Sequence, residues 1–213
     1  MNKSVNLYGV TEDKISSLGT VWIKFSIFKV KFHVLEDNFP IPHHDIFGAR
    51  FSSGTDSVID FGTDTTQIHD QKLRFKKGSM SSNNVHEIEI PTDENALLYV
   101  DIANFRLEVT EQYLVDAGSE GNVIKRKYVD QCSPIDTQRT VRLKDTGNDL
   151  FMTIGAVTLR IFDMLVEFQV VPDDLPIPAE GILGSAFLTQ TKAIIKFKQK
   201  ILQIGTKRVS VID

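Results

Sequence analysis

Two segments of the chain share one sequence pattern, and this internal repeat constrains the fold more than any other feature of the sequence. Residues 18–68 align with residues 154–204 at a constant offset of 136 (154 − 18) without a gap, and 17 of the 51 aligned residues are identical. Because unrelated segments rarely keep one register over such a length, the repeat indicates a duplicated unit. Each copy is longer than a usual solenoid repeat, so we expect two lobes related by a pseudo-twofold axis.

The two copies differ in what precedes them, which predicts a short first lobe and a longer second lobe. Residues 1–17 precede the matched core of the first copy, whereas residues 95–153 precede that of the second. A polar stretch rich in Gly, Ser and Asn lies between the copies and is typical of a linker. We therefore predict a first lobe at residues 1–76, a linker at 77–94 and a second lobe at 95–213. The first lobe is expected to lack the N-terminal part of the unit.

Apolar and polar residues alternate in several short segments, which indicates strands rather than helices. Residues 30–34 and 166–170 show this period of two, the pattern of half-buried strands. A hairpin is predicted with arms at residues 97–102 and 105–109 and a turn at Ala103 and Asn104, because Asn tolerates left-handed backbone. Helical periodicity is nearly absent, so the predicted fold class is mostly β.

Charge and composition exclude several classes of function. The net charge is −4, with 24 basic and 28 acidic residues, so nucleic acid is not expected as a partner. The single cysteine, Cys132, cannot form an intramolecular disulfide, which favours a reducing compartment. No apolar signal segment opens the sequence, and charged residues interrupt its longest apolar-rich stretch, residues 150–171. We therefore predict a cytoplasmic protein without a membrane partner.

Three motifs of the second copy follow each other in an order that resembles a known protein family. Residues 112–124 read QYLVDAGSEGNVI, an apolar strand followed by an Asp-x-Gly turn and a second apolar stretch. Residues 153–157 begin another strand, and residues 181–184 read Gly-Ile-Leu-Gly before a short helical segment. This order, with the phrase LPIPAEGILGSAFL, resembles the aspartic proteases of retroviruses and LTR retrotransposons. The resemblance covers residues 96–205 as a complete protomer and residues 1–68 as a protomer without its hairpin and catalytic turn.

The resemblance implies a mostly β fold of two retropepsin-like (acid protease) lobes and a role in peptide hydrolysis. In this family two aspartates, one from each lobe, share a proton, activate a water molecule and protonate the leaving group. It implies that Asp116 is the catalytic carboxylate and that Ala117 and Gly118 complete its turn. Ala117 departs from the Thr or Ser of the family, whose hydroxyl ties the two catalytic loops together. The residues implied to support the catalytic loop are Ile182, Leu183 and Gly184.

A second triplet, Asp145-Thr146-Gly147, matches the family motif but is interpreted as part of the flap. The repeat aligns it with Gly9-Val10-Thr11, and only 39 residues (184 − 145) separate Asp145 from Gly184, against 68 (184 − 116) for Asp116. The predicted flap and substrate-binding residues are Asp145, Thr146, Gly147 and Asn148. Asp60-Phe61-Gly62 is interpreted as a turn between strands. No metal site or cofactor is predicted, because the adjacent His43 and His44 have no further His or Cys cluster nearby in the sequence.

The sequence leaves two functions open. The first is a retrotransposon-derived aspartic endopeptidase that binds an extended peptide or polyprotein substrate beneath its flaps. It would require a homodimer, so that Asp116 of one chain meets Asp116 of the other. The alternative is a catalytically inactive pseudoprotease that binds peptides or proteins, and Ala117 and the single turn favour it. An unrelated β fold without a peptide cleft is a third, weaker reading.

Overall fold

A computed structural model describes residues 6–8, 14–25, 28–36, 49–75, 85–87, 98–104, 108–144 and 150–212 of the chain. These residues form mostly strands, so the predicted fold class is confirmed. The elements before the linker are β1 (Asn6–Tyr8), β2 (Lys14–Ser16), β3 (Gly19–Phe25), β4 (Phe28–Val34), α1 (Ala49–Gly54), β5 (Val58–Asp60), β6 (Thr65–Ile68) and β7 (Gln71–Arg74).

The remaining elements begin within the predicted linker and continue to the end of the described residues. They are β8 (Val85–Glu87), β9 (Tyr99–Asn104), β10 (Val109–Val115), β11 (Val123–Lys125), a 3-10 turn (Arg126–Tyr128), β12 (Arg142–Lys144), β13 (Leu150–Met152), β14 (Gly155–Ile161), β15 (Met164–Val171), β16 (Gly181–Leu183), α2 (Ser185–Gln190), β17 (Ile194–Lys196), β18 (Ile201–Ile204) and β19 (Lys207–Ser210).

The predicted hairpin before Asp116 exists, but its turn was placed too early. β9 and β10 pair antiparallel with Asn104 opposite Val109, so Ala103 and Asn104 belong to the first arm. The left-handed residue is Glu108, with φ of 54°. β10 runs from Val109 to Val115, so it contains the last residue of the predicted return arm together with the apolar strand predicted after it. Residues 105–107 of that predicted arm lie outside the described residues.

A six-stranded sheet carries the second copy, in the order β14-β15-β11-β16-β10-β9. β16 lies between β10 and β11, parallel to the first and antiparallel to the second. These two strands flank the Asp116 turn, so β16 lies directly beside both ends of that turn. β16 comes from a distant part of the sequence, and its pairing with β10 and β11 fixes the position of the turn between them.

The two copies have the same elements at the offset found in the sequence. The pair β3–β4 aligns Gly19 with Val34, and the pair β14–β15 aligns their counterparts Gly155 and Val170. The bounds of α1 and α2 differ by 136 at both ends, as do those of β5 and β17. Left-handed backbone also recurs in pairs, for example at Asp56 and Lys192 (φ of 53° and 50°). One local structure is therefore present twice.

A second six-stranded sheet joins the two copies, in the order β19-β18-β17-β5-β6-β7. Its central strands, β5 and β17, are counterparts of each other and pair antiparallel around Ile59 and Ile195. The backbone bond from Phe61 N to Ala193 O (2.9 Å) has its counterpart from Phe197 N to Ser57 O (3.2 Å). The local axis of symmetry therefore passes through the centre of this sheet.

The main hydrophobic core lies under the second-copy sheet and the joining sheet. Its fully buried side chains include Tyr113, Phe168, Phe187 and Leu202. The rings of Tyr113 and Phe168 pack with centroids 5.9 Å apart, and Tyr113 lies on the strand that leads to the Asp116 turn. Burial of these large side chains supplies the main driving force for folding and holds the turn in place.

The described residues contain no helix that is long and apolar enough to cross a membrane. The predicted domain boundaries at residues 76/77 and 94/95 lie outside the described residues and stay predictions. The cytoplasmic location also stays a prediction.

Candidate active site

The Asp116 turn begins where β10 ends. Asp116 directly follows Val115, which lies opposite Leu183 in the parallel pair β10–β16. The backbone N–H of Asp116 donates to the carbonyl oxygen of Leu183 at 3.1 Å. Asp116 is buried, with 8% of its surface exposed, whereas Ala117 and Gly118 are exposed. The chain therefore presents the tip of the turn to solvent and holds the carboxyl group at its base.

Both oxygens of the Asp116 carboxyl group accept hydrogen bonds from within the turn. The backbone N–H of Gly118 donates to Oδ1 at 2.8 Å, and the hydroxyl of Ser119 donates to Oδ2 at 2.8 Å. An aspartate that accepts from the backbone two residues later stabilises a tight turn. The two bonds also fix the plane of the carboxyl group, which is what a reacting carboxyl group requires.

Burial raises the pKa of Asp116 to about 6, although hydrogen bonds from Ser119 and from the backbone of Gly118 and Ser119 lower it. Desolvation disfavours the charged form of a carboxylic acid, and here it outweighs the three bonds that favour that form. Asp116 therefore titrates between acidic and neutral pH, where a carboxyl group can either hold or accept a proton.

Ile182 and Leu183 lie in the strand beside the turn and are fully buried. Gly184 follows them at the start of α2, where there is no room for a side chain. A Cβ atom on Gly184 would lie 2.1 Å from the carbonyl oxygen of Gly121 and 2.8 Å from that of Ser119. The segment therefore packs directly against the backbone of the Asp116 loop, and its glycine is required for that approach.

Two residues that sequence reasoning missed complete this contact. The side chain of Asn122 accepts from the backbone N–H of Gly184 at 3.0 Å and donates to the carbonyl oxygen of Glu167 at 3.0 Å. Ser119 accepts through its carbonyl oxygen from the N–H of Ser185 at 2.7 Å and is fully buried. Their positions in the motif could have indicated this role. Ser119 and Asn122 follow Asp116 by three and six residues, where short polar side chains often bond to the backbone of a turn.

A buried acid–phenol pair lies on the strand before the turn and was also not predicted. The hydroxyl of Tyr113 donates to Glu111 Oε2 at 2.6 Å, and Glu111 is almost fully buried. Burial, followed by the charge of Glu111, raises the pKa of Tyr113 far above its usual range, so the phenol stays protonated. Both residues belong to β10, and the bond between them satisfies the phenol within the core.

The predicted flap residues Asp145, Thr146, Gly147 and Asn148 lie outside the described residues. The strands on either side of them, β12 and β13, pair antiparallel with Lys144 opposite Leu150. β8, from the predicted linker, pairs in parallel with the free side of β12. His43 and His44 also lie outside the described residues.

The other Asp-x-Gly triplet, Asp60-Phe61-Gly62, forms a turn at the end of β5, as predicted. Asp60 Oδ1 accepts from the N–H of Gly62 at 2.8 Å and from that of Thr63 at 3.1 Å. This is the same local bond as in the Asp116 turn, but it lies between two strands of the joining sheet. Asp60 therefore has the turn geometry without the buried setting of Asp116.

The described residues form a mostly β fold in which an Asp-x-Gly turn with a buried aspartate lies beside a central strand of the second-copy sheet. No protein-family model and no curated protein matches the chain. A solved structure, the retroviral protease-like domain of Ddi1 from Leishmania major, is similar to it with a TM-score of 0.40 and 17% sequence identity. The match covers 55% of this chain and 91% of that domain.

Proposed function

We propose that this chain binds extended peptides at an aspartic-protease-like site in which Asp116 supplies one carboxyl group. We further propose that residues 1–213 tested alone do not cleave them, because cleavage needs a second carboxyl group at the symmetric position. The observation that carries this proposal is the pairing of β5 with β17, through which the first copy occupies the symmetric position beside the second. Retrotransposon origin and gene duplication are part of the same proposal and are supported by the motif order and by the shared elements of the two copies.

The symmetry shows where a second carboxyl group would have to come from. The offset of 136 maps Asp116 onto position 116 − 136 = −20, which is outside the 213 residues. Peptide hydrolysis by an aspartate pair needs one group that accepts a proton from water and one that donates a proton. A single carboxyl group cannot hold both states at once, so cleavage requires a second carboxyl group at that symmetric position, whichever polypeptide segment supplies it.

Pairing of two chains through β17 does not fit this arrangement. Another copy could place its Asp116 across the same axis only by adding its own β17 beside the first, and β5 already occupies that edge. The dimerisation expected from the sequence would therefore require the first copy to leave. Breaking a strand pair that lies at the centre of a six-stranded sheet is costly, since Ile195 is buried there.

An aspartic endopeptidase is the second candidate, and one observation favours it. The Asp116 carboxyl group keeps two hydrogen bonds, burial and a raised pKa, which are the features of a group prepared for proton transfer. In that case the substrate would lie beneath the flap candidates at residues 143–153 and 7–17.

Binding of a peptide that carries a central secondary alcohol, a mimic of the hydrated amide, tests the proposal. Calorimetry at pH 5 should show binding to the wild-type chain and at least tenfold weaker binding to Asp116→Asn. Asp60→Asn is the matched control, because it makes the same substitution in the same kind of turn, and it should bind like the wild type. Equal binding by all three proteins would exclude Asp116 as the binding group.

A further inference from the structure

The β3–β4 hairpin of the first copy exposes an apolar face that its counterpart buries. Cross-strand pairs on this face are Val21 with Phe32 and Ile23 with Val30, and Val34 lies at its end opposite Gly19. Val21 is 41% exposed and Val34 is 39% exposed. Their counterparts in the second copy, Val157 and Val170, are 2% and 0% exposed. The residue types are identical, so the difference comes from what covers them.

The second copy shows what covers this face. Val157 and Val170 belong to one core cluster with Val100, Tyr113 and Ile124, which come from β9, β10 and β11. The same segment also covers the edge of the hairpin, because β11 pairs in parallel with β15 and places Ile124 opposite Val170. In the first copy, β4 has β3 as its strand partner within the described ranges. The edge equivalent to the β11 site lies at residues 33–35 (169 − 136 to 171 − 136).

Charge is complementary between the exposed hairpin and the segment that covers its counterpart. Residues 19–34 contain Lys24, Lys29 and Lys31 and no acidic residue, a formal charge of +3. Residues 98–125 contain five acidic and two basic residues, a formal charge of −3 (2 − 5). The three lysines lie on the face of the hairpin opposite the apolar one, so the opposite net charges favour the rate of association rather than contacts at the apolar face itself.

We propose that the apolar face of the β3–β4 hairpin, together with the edge of β4 that has no strand partner within the described residues, is a docking site for a second polypeptide segment with the hairpin–turn–strand pattern of residues 98–125. The occupant adds a strand parallel to β4 and covers Val21, Ile23 and Val34 with alternating apolar side chains. An exposed cluster of this kind is the usual mark of an interaction site. The occupant is specified by the second copy, which carries its own example of it.

A synthetic peptide with the sequence of residues 96–125 tests the docking site on the full chain. Calorimetry should show one peptide per chain. Val21→Asp and, on the other strand, Val34→Asp should each weaken binding at least tenfold. Thr20→Asp is the matched control, since it adds the same charge on the same strand but on the opposite face, and it should change binding less than twofold.

Other outcomes would overturn the proposal. One is that the folded wild-type chain does not bind the peptide and its melting temperature does not change when the peptide is added. Another is that Thr20→Asp and Val21→Asp weaken peptide binding equally. A chain that forms a dimer by itself, and that Val21→Asp returns to a monomer in sedimentation, would show instead that a second copy covers this face.

Peptide cleavage is a second readout of docking, and it rests on the proposed function. A docked segment would place its own Asp-x-Gly turn at the symmetric position of Asp116, so the mixture should cleave peptides that neither component cleaves alone. A peptide with Asn in place of its Asp116 should bind equally and give no cleavage. Binding without cleavage by the unmodified peptide would leave the docking site standing and would contradict the role of Asp116 as one of a catalytic pair.

Discussion

Ile59 and Ile195 face each other at the centre of the sheet that joins the two copies, and each is the counterpart of the other at an offset of 136. Their surroundings differ, because Ile195 is 2% exposed whereas Ile59 is half-buried. The two residues lie directly opposite each other in the sheet, so their unequal exposure reflects unequal covering by the rest of the chain.

Truncation of these isoleucines should have unequal effects on stability. Ile195→Ala should lower the free energy of unfolding by about 2–5 kcal/mol, the usual cost of removing a buried isoleucine side chain. Ile59→Ala should cost less, since part of its side chain already contacts water. Urea unfolding of the two variants measures the difference. Equal losses would contradict the asymmetric burial.

Asp116→Asn should change how stability depends on pH. Because the pKa of Asp116 is raised to about 6 in the folded chain, from 3.8 in the unfolded chain, its contribution is fully present below pH 3.8 and is lost as pH rises through 6. The variant cannot ionise there, so at pH 7 it should be more stable than the wild type by about 1–3 kcal/mol. Urea unfolding between pH 4 and pH 7 measures the gap, which should close at pH 4. A gap that is independent of pH would exclude this cause.

Gly184→Ala should disrupt the contact between β16 and the Asp116 loop. Its added Cβ atom would meet backbone oxygens at 2.1 Å and 2.8 Å, which no side-chain rotation relieves. We expect a loss of about 3 kcal/mol or more in the free energy of unfolding. Gly54→Ala is the control, because nothing lies within 4 Å of its added Cβ atom, and it should fall within about 1 kcal/mol of the wild type. Similar melting temperatures for the two variants would show that the backbone of the Asp116 loop can move to accommodate the added Cβ atom at little cost in stability.

Removal of the phenol in Tyr113→Phe should cost about 1–3 kcal/mol, since it deletes the hydrogen bond to the buried Glu111 carboxyl group while keeping the ring. Thermal unfolding measures the loss. Binding of the alcohol-containing peptide should be unchanged, because the bond joins two residues of β10 within the core rather than a residue of the Asp116 turn. A variant with weaker binding and normal stability would instead give Tyr113 a direct role in the site.

Local patterns in the sequence predicted the strands well. They could not predict which residues pair across strands. The alternation at residues 30–34 and 166–170 lies within β4 and β15, because a half-buried strand imposes a period of two. The turn before Asp116 was misplaced because Asn104 is a good turn residue that the pairing with Val109 kept in the strand.

The sequence predicted the local part of the candidate site and missed the contacts between distant segments. Asp116 and Gly118 carry a local motif, and their bond joins residues two apart in sequence. Asn122 and Gly184 are 62 residues apart, so nothing near either residue indicates their bond. The exposure of Val21 in β3 was also unpredictable, because its identical counterpart Val157 is buried by strands from another part of the chain.

Cleavage by the chain alone tests the central claim most directly. The wild type, Asp116→Asn and Asp60→Asn should be incubated separately with a mixed peptide library at pH 5, where a shared proton between two carboxyl groups would be retained, and the products identified by mass spectrometry. Our proposal predicts no products that depend on Asp116. Products formed by the wild type and by Asp60→Asn, and lost in Asp116→Asn, would contradict it and establish the chain as an aspartic endopeptidase.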